Sequence, residues 1–329
     1  MPARFPVKKS GRHGPAAPLS GAAPAGAATA AAGTAWRARV IAAHGHMLHV
    51  RLEHGGEAVA RAMGRRLQVV CGDYVRCEFD ARHGELRIVA LEPRAGALYR
   101  SNAHGSGELI AANLSLLLVV VAPLPAPDFY IVDRYLAAAQ CAGIGARVVL
   151  NKCELGIDAI TAAELRDYAA LGLEPLRISA QEASGLHELR ALLHEQTAAM
   201  VGQSGVGKSS LLRALVPDSE AVIGTLMRDQ AGRHTTSASW LYALPEGGAL
   251  IDSPGVRDFA PAIDRLDDAD LGFTDIAALS VHCRFGDCRH LREPGCAVRA
   301  GVGGALSARR YESYRRLRRL WERLRQPSG

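Results

Sequence analysis

Short runs of alternating apolar and polar residues dominate the chain between residues 36 and 92. A period of two predicts strands that bury one face, and residues such as Gly55, Gly56, Gly72 and Asp73 supply turns between them. Closely spaced short strands predict a small β-barrel. An OB-fold is the favoured form, and an SH3-like barrel fits almost equally well. The predicted strands span residues 37–41, 47–51, 67–70, 74–79 and 86–89.

Between residues 93 and 263 the pattern changes to apolar runs that alternate with helical periodicity. Residues 116–121 are apolar throughout, as buried parallel strands are. Alternating strands and helices predict a doubly wound α/β sheet with its ligand loops at the strand ends. Further strands are predicted at 147–150, 176–178, 198–201 and 249–251, and helices at 131–142, 162–171 and 186–196.

The two ends of the chain have different patterns. Residues 1–35 are rich in Ala, Gly and Pro and predict a disordered basic tail, either simply solvated or in loose contact with RNA. Within 264–329, helical spacing predicts an amphipathic helix whose apolar side packs on a neighbour. Its apolar residues are Tyr314, Leu317, Leu320, Trp321 and Leu324. Its other face is either solvated or in contact with phosphate, and carries Arg315, Arg316, Arg319 and Arg323.

Charge adds a partner class to this picture. The 329 residues carry a net charge of +6, and no acidic residue precedes Glu53. Basic ends on a balanced middle indicate a polyanionic partner, nucleic acid before membrane. No apolar run reaches the ~18–20 residues of a membrane span, and the N-terminus lacks a secretory apolar region, so a cytoplasmic location is expected. Seven cysteines, an odd number, favour a reducing compartment over a disulfide framework.

One stretch carries phosphate-binding chemistry. Residues 202–210 fit the pattern G-x-x-x-x-G-K-[ST], with apolar residues before them and a helical pattern after them. The glycines let backbone N–H groups surround phosphate oxygens, Lys208 adds a charge, and the Ser209 hydroxyl can ligate Mg²⁺. The candidate nucleotide-binding residues of this loop are Gly202, Gln203, Ser204, Gly205, Val206, Gly207, Lys208, Ser209 and Ser210.

Three further short motifs indicate a guanine nucleotide. Asn151-Lys152-Cys153-Glu154 resembles the N-K-x-D element that recognises the base, and Ser179-Ala180 stands where GTPases place a backbone contact to the guanine oxygen. Asp252-Ser253-Pro254-Gly255 matches D-x-x-G, in which the aspartate reaches Mg²⁺ through water and the Gly255 N–H meets the γ-phosphate. Because base recognition precedes the phosphate loop here, the GTPase sheet is predicted to be circularly permuted.

The loop Gly232-Arg233-His234-Thr235-Thr236 lies between the phosphate loop and D-x-x-G. A hydroxyl from it would complete Mg²⁺ coordination, Thr236 being favoured slightly over Thr235. Where many GTPases orient water with glutamine, this chain has Val256. His234 is the nearest substitute, or it only stabilises the loop. The candidate catalytic residues are His234, Lys208, Thr236 and Asp252.

Cys283, Cys288, His290 and Cys296 lie within fourteen residues. A Cys₃His set is typical of a closed structural zinc site. His282 could replace His290, and Glu293 is expected to be a spectator. The remaining cysteines, Cys71, Cys77, Cys141 and Cys153, are interpreted as packing residues.

The chain has a predicted barrel, a permuted GTPase and a Cys₃His module in this order, and in this it resembles the bacterial RsgA (YjeQ) family. Four motifs carry the resemblance, at residues 202–210, 232–236, 252–257 and 283–296. The resemblance implies a fold of OB barrel (36–92), circularly permuted GTPase domain (93–263) and zinc-finger domain (264–329). It implies a cytoplasmic, monomeric GTP hydrolase, using GTP/GDP, Mg²⁺ and Zn²⁺, that binds the 30S subunit and 16S rRNA late in maturation and is stimulated by the ribosome. It also makes His234 catalytic.

The chain departs from the family at Glu154, where the family has aspartate. Its extra methylene moves the carboxylate, which weakens guanine selectivity unless the loop shifts, although the same hydrogen bonds remain open to it. Two other functions are weighed. One is an RNA-binding assembly factor whose nucleotide is only a timer. The other is an ATP-using enzyme, which the Asn151–Lys152 pair opposes.

Overall fold

The computed structural model describes residues 35–44, 47–63, 67–102, 106–219, 239–253 and 260–325. The first of its strands form a closed barrel. Strand pairing runs β1-β2-β3-β5-β4 and closes through β4 and β1, with β3 and β5 parallel and the other pairs antiparallel. This is the five-stranded arrangement of an OB-fold. The strands are β1 Trp36–His44, β2 Met47–Leu52, β3 Glu57–Ala62, β4 Tyr74–Asp80 and β5 Glu85–Leu91.

The OB-fold prediction is confirmed, but one of its strands was wrong. Residues 67–70 form no strand, and the third strand is β3. Val69 packs against the barrel core, and the Val70 N–H donates to Asp73 Oδ2 at 2.8 Å, so this apolar stretch packs beside the sheet rather than pairing with it. The sequence of β3 alternates alanine with charged residues and valine, so its apolar signal is weak.

A doubly wound sheet follows the barrel, as predicted. Its strand order is β10-β9-β8-β11-β13-β12, parallel except for β12. Helices α1 and α2 contribute to the core on one face, and α3 and α4 to the core on the other. The strands are β8 Leu116–Val121, β9 Gly145–Leu150, β10 Leu176–Arg177, β11 Thr197–Val201, β12 Ser239–Ala243 and β13 Ala249–Asp252. The helices are α1 Phe129–Cys141, α2 Ala159–Ala170, α3 Leu186–Leu193 and α4 Lys208–Leu215.

Several features of this region were not predicted. A hairpin of β6 Ala97–Ser101 and β7 Gly107–Ala112 precedes β8, and a short 3-10 helix at Ile263–Arg265 lies beside it. Strand β12 pairs with β1 in antiparallel fashion, with Trp240 opposite Ala42. Barrel and α/β sheet therefore share one continuous hydrogen-bonded ladder.

The C-terminal region is helical, with α5 Thr274–Ser280, α6 Ala297–Ala300 and α7 Ala308–Arg325. Tyr314, Leu317 and Trp321 of α7 are buried in a core that also includes Ala137 of α1, which confirms the predicted packing face. Leu324 is 44% exposed and lies outside that face. The helices that the structure describes include none with the length and apolar character to span a membrane.

A buried ionic cluster joins α7 to the α/β domain. Asp133 of α1 has a side chain with no exposed surface, and its two oxygens accept from Arg309 at 2.5 Å and Arg310 at 2.8 Å. Arg309 also pairs with Glu164 of α2, and Arg310 with Asp275 of α5. Sequence reasoning assigned no role to Arg309 and Arg310, and these two residues hold the C-terminal helix in place. The domain boundaries at 92/93 and 263/264 stay predictions.

Candidate active site and metal centre

Several predicted site residues follow the carboxyl ends of parallel strands. Strands β9, β8, β11 and β13 are neighbours in the sheet and run in the same direction. Loops after such strands meet at one edge of the sheet. Asn151 directly follows β9, Gly202 directly follows β11, and Asp252 is the last residue of β13. The fold thus gathers at one edge residues that are up to a hundred positions apart in sequence.

The phosphate loop connects β11 to α4 and depends on glycine at several positions. Gly202, Gly205 and Gly207 all have φ between +83° and +142°. A Cβ on Gly202 would lie 2.1 Å from the carbonyl oxygen of Val120, and one on Gly207 would lie 2.2 Å from Asn151 Nδ2. Only glycine fits such conformations at such close approach.

Other residues of the loop have defined positions. The Lys208 amine donates to the carbonyls of Gly202 at 2.6 Å and Gln203 at 2.8 Å, which keeps its charge at the loop. Val206 is fully buried in the core beneath, so its side chain anchors the loop. Ser209 is half-buried, and Ser204 and Ser210 are exposed.

Asn151 connects the phosphate loop to the neighbouring loop at 179–180. The residue is almost fully buried; its Nδ2 donates to the Val206 carbonyl at 2.9 Å and its Oδ1 accepts from the Ala180 N–H at 3.2 Å. Lys152 donates to the carbonyls of Leu124 and Gly205 at 2.8 and 2.7 Å. The amide and the amine thus fix the neighbouring loops against one another.

Ser179 lies beneath this site rather than in it. It is fully buried, its backbone N–H donates to the Ser184 carbonyl at 3.1 Å, and its hydroxyl oxygen accepts from the Glu182 N–H at 3.0 Å. Its hydrogen bonds therefore shape the loop that presents Ala180.

A pocket of about 690 Å³ opens between these loops. That volume is within the range of small-molecule sites. One carboxylate oxygen of Glu154, Oε2, is buried and has no hydrogen-bond partner among the residues that the structure describes. A buried unpaired acceptor is costly unless a ligand donor meets it. The lining consists of Asn151, Lys152, Glu154, Leu155, Ala180, Gln181, Gly207, Ser210, Arg213 and Ala214.

A second pocket, of about 600 Å³, lies on the α1 side of the phosphate loop. Arg134 of α1 lines it together with Gln203 and Ser204. The Arg134 Nε is buried and finds no partner within the described part of the chain, and burial lowers the pKa of this guanidinium. Gln203 Oε1 also accepts from the Asp128 N–H at 2.9 Å, which ties the loop to the start of α1. Sequence reasoning missed Arg134, because no motif marks it.

Four predicted site residues, His234, Thr235, Thr236 and Gly255, lie outside the described residues. Asp252 is half-buried at the end of β13.

The Cys₃His set comes together in space. The ligand atoms of Cys283, Cys288, His290 and Cys296 all lie within 4.8 Å of one another. His290 Nδ1 lies 3.5 Å from the sulfurs of Cys283 and Cys296, which are 3.9 Å apart. Zinc–sulfur bonds of ~2.3 Å in a tetrahedron place sulfurs about 3.8 Å apart, so the set fits zinc. His290, and not the exposed His282, belongs to this cluster.

Glu293 is outside the cluster but holds its loop. Its carboxylate accepts from the backbone N–H groups of Arg289, Leu291 and Arg292 at 2.8–3.1 Å. Burial raises the pKa of Glu293, but its own backbone N–H and those of Arg292, Arg289 and Leu291 outweigh burial and lower the pKa to about 2. The residue predicted to be a spectator is therefore a structural part of the metal loop.

In chain order the base-side loop after β9 precedes the phosphate loop after β11, which precedes Asp252 on β13. Fold and site together define a circularly permuted P-loop GTPase. The family profile described as RsgA GTPase matches residues 91–261. A protein of Chromohalobacter salexigens named small ribosomal subunit biogenesis GTPase RsgA is 42% identical, over 85% of this chain and 84% of that protein. The protein of the same name from Azotobacter vinelandii is 39% identical, over 84% of this chain and 83% of that protein.

Two solved structures have the same fold. YjeQ from Thermotoga maritima has a TM-score of 0.67 and 25% identity, covering 88% of this chain and 99% of its own. YloQ, described as a circularly permuted GTPase, has a TM-score of 0.67 and 24% identity, and the match covers 90% of this chain and 98% of YloQ. The chain belongs to the RsgA GTPase family, and it is a GTP-hydrolysing enzyme.

Proposed function

We propose that this enzyme hydrolyses GTP while bound to the 30S ribosomal subunit, assists late maturation of that subunit, contacts 16S rRNA, and is stimulated by the ribosome. The observation that carries the nucleotide part is the bridge by Asn151 between the phosphate loop and the 179–180 loop. The ribosomal part is supported by the names of relatives about 40% identical over most of the chain.

The phosphate groups of the nucleotide bind the loop between β11 and α4. Backbone N–H groups of the loop and of the α4 N-terminus hold anionic oxygens, and the Lys208 charge, which two loop carbonyls keep in place, neutralises them. The residues assigned to this end of the nucleotide are Gly202, Gln203, Ser204, Gly205, Val206, Gly207, Lys208, Ser209 and Ser210, with Thr235 and Gly255.

The base enters the pocket of about 690 Å³ between Asn151 and Ala180. Glu154 presents a buried, unpaired carboxylate oxygen there, which suits the N–H donors on the Watson–Crick edge of guanine. Adenine offers no pair of donors at the same positions. Lys152 supports the loop through Leu124 and Gly205, and Ser179 supports Ala180 from beneath.

Glu154 tests the base assignment directly. Competition of GDP and ADP for the wild-type site should favour GDP, because only guanine offers the paired donors. Glu154→Gln replaces one of the two acceptor oxygens with an NH₂ donor. It should weaken the binding of GDP without strengthening the binding of ADP. Equal binding of GDP and ADP by the wild type would contradict guanine recognition and favour an ATP-using enzyme.

Ser209, Thr236 and Asp252 are assigned to hold Mg²⁺, which supplies charge neutralisation at the phosphates when bound. The Cys₃His cluster is assigned to one structural Zn²⁺, because its ligand distances fit and it leaves no open ligand position. We further propose a monomer located in the cytoplasm.

His234 is assigned to orient the attacking water. The chain has Val256 where many GTPases have glutamine, so another side chain must hold that water. His234→Ala should leave GDP and GTP affinity intact and reduce turnover. Unchanged turnover would remove His234 from the catalytic set.

The ribosomal part is tested by measuring GTP hydrolysis with 30S subunits, with 50S subunits and with neither. Stimulation by 30S alone is expected. A 30S-bound protein with negligible turnover would instead be a nucleotide-timed assembly factor, and the lack of any 30S effect would overturn the proposal.

A further inference from the structure

The loop between Cys283 and Cys288 exposes an aromatic ring. Phe285 is 41% exposed, whereas the other phenylalanines and tryptophans in the described part of the chain are buried or half-buried. Val281, four residues earlier in the sequence, is 75% exposed. An exposed aromatic ring offers a flat apolar surface to a partner.

The loop that carries Phe285 is held in shape by its neighbours. The Arg284 N–H donates to the Gly295 carbonyl at 3.1 Å, and the Cys288 N–H donates to the Phe285 carbonyl at 3.3 Å. Gly295 has φ +71°, and a Cβ there would lie 3.1 Å from Arg284 Cβ, so the two segments pack closely. With its backbone fixed at both ends, the ring loses little freedom when it binds a partner.

The charges around the ring favour a polyanion. The exposed charged residues of the segment 281–300 are four arginines and one aspartate, namely Arg284, Arg289, Arg292, Arg299 and Asp287. Of these arginines, Arg289 is paired with Glu322 of α7 at 3.3 Å. The other acid of that segment, Glu293, is turned to backbone N–H groups. The Arg284 guanidinium lies 5.4 Å from the centre of the Phe285 ring. A flat apolar surface beside a cation is the pair of features that binds a base and its phosphate.

We propose that Phe285 is a stacking platform for an unpaired base of RNA, with Arg284 contacting the adjacent phosphate. The inference rests on the proposed ribosomal function and names a surface for it. RNA is preferred over protein because Arg284 lies at the ring, because the exposed charges of the segment 281–300 are mostly positive, and because unpaired bases stack on aromatic side chains.

The test uses the full-length, zinc-loaded protein with a non-hydrolysable GTP analogue. Binding to 30S subunits and to protein-free 16S rRNA is measured for the wild type, Phe285→Ala and Phe285→Trp. Ile160→Ala is the matched control, because Ile160 is a large apolar residue that is 76% exposed and lies on α2 of the α/β domain. Zinc content, thermal unfolding and basal GTP hydrolysis are measured for every variant and should match the wild type.

Phe285→Ala should bind both RNA-containing partners about 5- to 150-fold more weakly, the range for loss of one base–aromatic stack. Phe285→Trp should retain binding, because indole stacks at least as well, and Ile160→Ala should not change it. Arg284→Gln should weaken binding and reduce the salt slope by about one charge.

Wild-type affinity of Phe285→Ala with normal zinc content would overturn the inference. Weaker binding to 30S subunits but not to protein-free rRNA would also overturn it, since the ring would then contact a ribosomal protein. A wild-type protein that ignores 30S subunits would instead overturn the proposed function, so the two failures are distinguishable.

Discussion

Removal of the Asp133 carboxylate should undock the C-terminal helix from the α/β domain. The Asp133 side chain is fully buried and accepts from Arg309, Arg310 and, at 2.7 Å, the Tyr168 hydroxyl. Burial, reinforced by the charge of Asp133, raises the pKa of Tyr168 well above its ordinary value, so the hydroxyl remains a donor. Asp133→Ala deprives all three groups of an acceptor at once.

The expected loss of stability depends on the ion pairs that Arg309 and Arg310 keep after the substitution. Breaking a buried ion pair from one side typically costs about 3–5 kcal/mol. Arg309 and Arg310 keep Glu164 and Asp275, which places Asp133→Ala near the lower end of that range, about 3 kcal/mol. In a folding unit of roughly 150–250 residues, each kcal/mol lowers the thermal unfolding midpoint by ~2–4 °C. Asp133→Ala should therefore lower that midpoint by about 6–12 °C. Asp133→Asn keeps one oxygen acceptor and should lower the thermal unfolding midpoint less than Asp133→Ala does.

Calorimetry is the suitable assay, because a multidomain chain need not unfold in two states and separate transitions can be resolved. The transition that contains α7 should move most. Glu312→Ala is the control on the same helix, since Glu312 pairs with Arg315 and Arg316 at the surface and should cost at most about 1 kcal/mol. Equal midpoints for Asp133→Ala and Glu312→Ala would refute the assignment of Asp133 as the docking residue.

Three other predictions concern the nucleotide and metal sites. Asn151→Ala leaves a buried carbonyl and N–H unpaired, so GDP affinity measured by calorimetric titration should fall about 10- to 100-fold, while an unchanged affinity would contradict the bracing role. Gly202→Ala should abolish GDP binding because its Cβ meets a carbonyl, whereas Gly172→Ala, which also has positive φ but open space around it, should retain binding at a cost of about 1–2 kcal/mol in stability. His290→Ala should lose the bound zinc measured by elemental analysis, and His282→Ala should keep one zinc per chain; the reverse result would exchange the two ligands.

The sequence was most informative where chemistry depends on near neighbours. The phosphate loop was predicted from residues 202–210 alone, because glycine freedom and a lysine–serine pair are local requirements. The cysteine spacing likewise predicted the metal cluster. His290 was chosen over His282 from its position between the cysteines, and the cluster in the structure confirms that choice.

The prediction of strands failed where an apolar stretch forms no strand, or where a paired strand has a weak apolar pattern. Residues 67–70 are apolar because they pack beside the barrel, whereas β3 pairs on both edges with a sequence half made of alanine. Period-two alternation measures burial of a side chain, not the hydrogen bonding of its backbone. The β12–β1 ladder that joins barrel to sheet was therefore also out of reach of pattern reasoning.

The sequence by itself determined the three-part fold, the permuted order of the nucleotide motifs and the Cys₃His set, because each is encoded in periodicity or in short spacings. Only the tertiary structure decided which charges are partners. Arg309 meets Asp133 across 176 residues, and in the sequence both look like ordinary surface residues. An ion pair is fixed by distance and desolvation in space, and neither quantity is written in the spacing of residues along the chain.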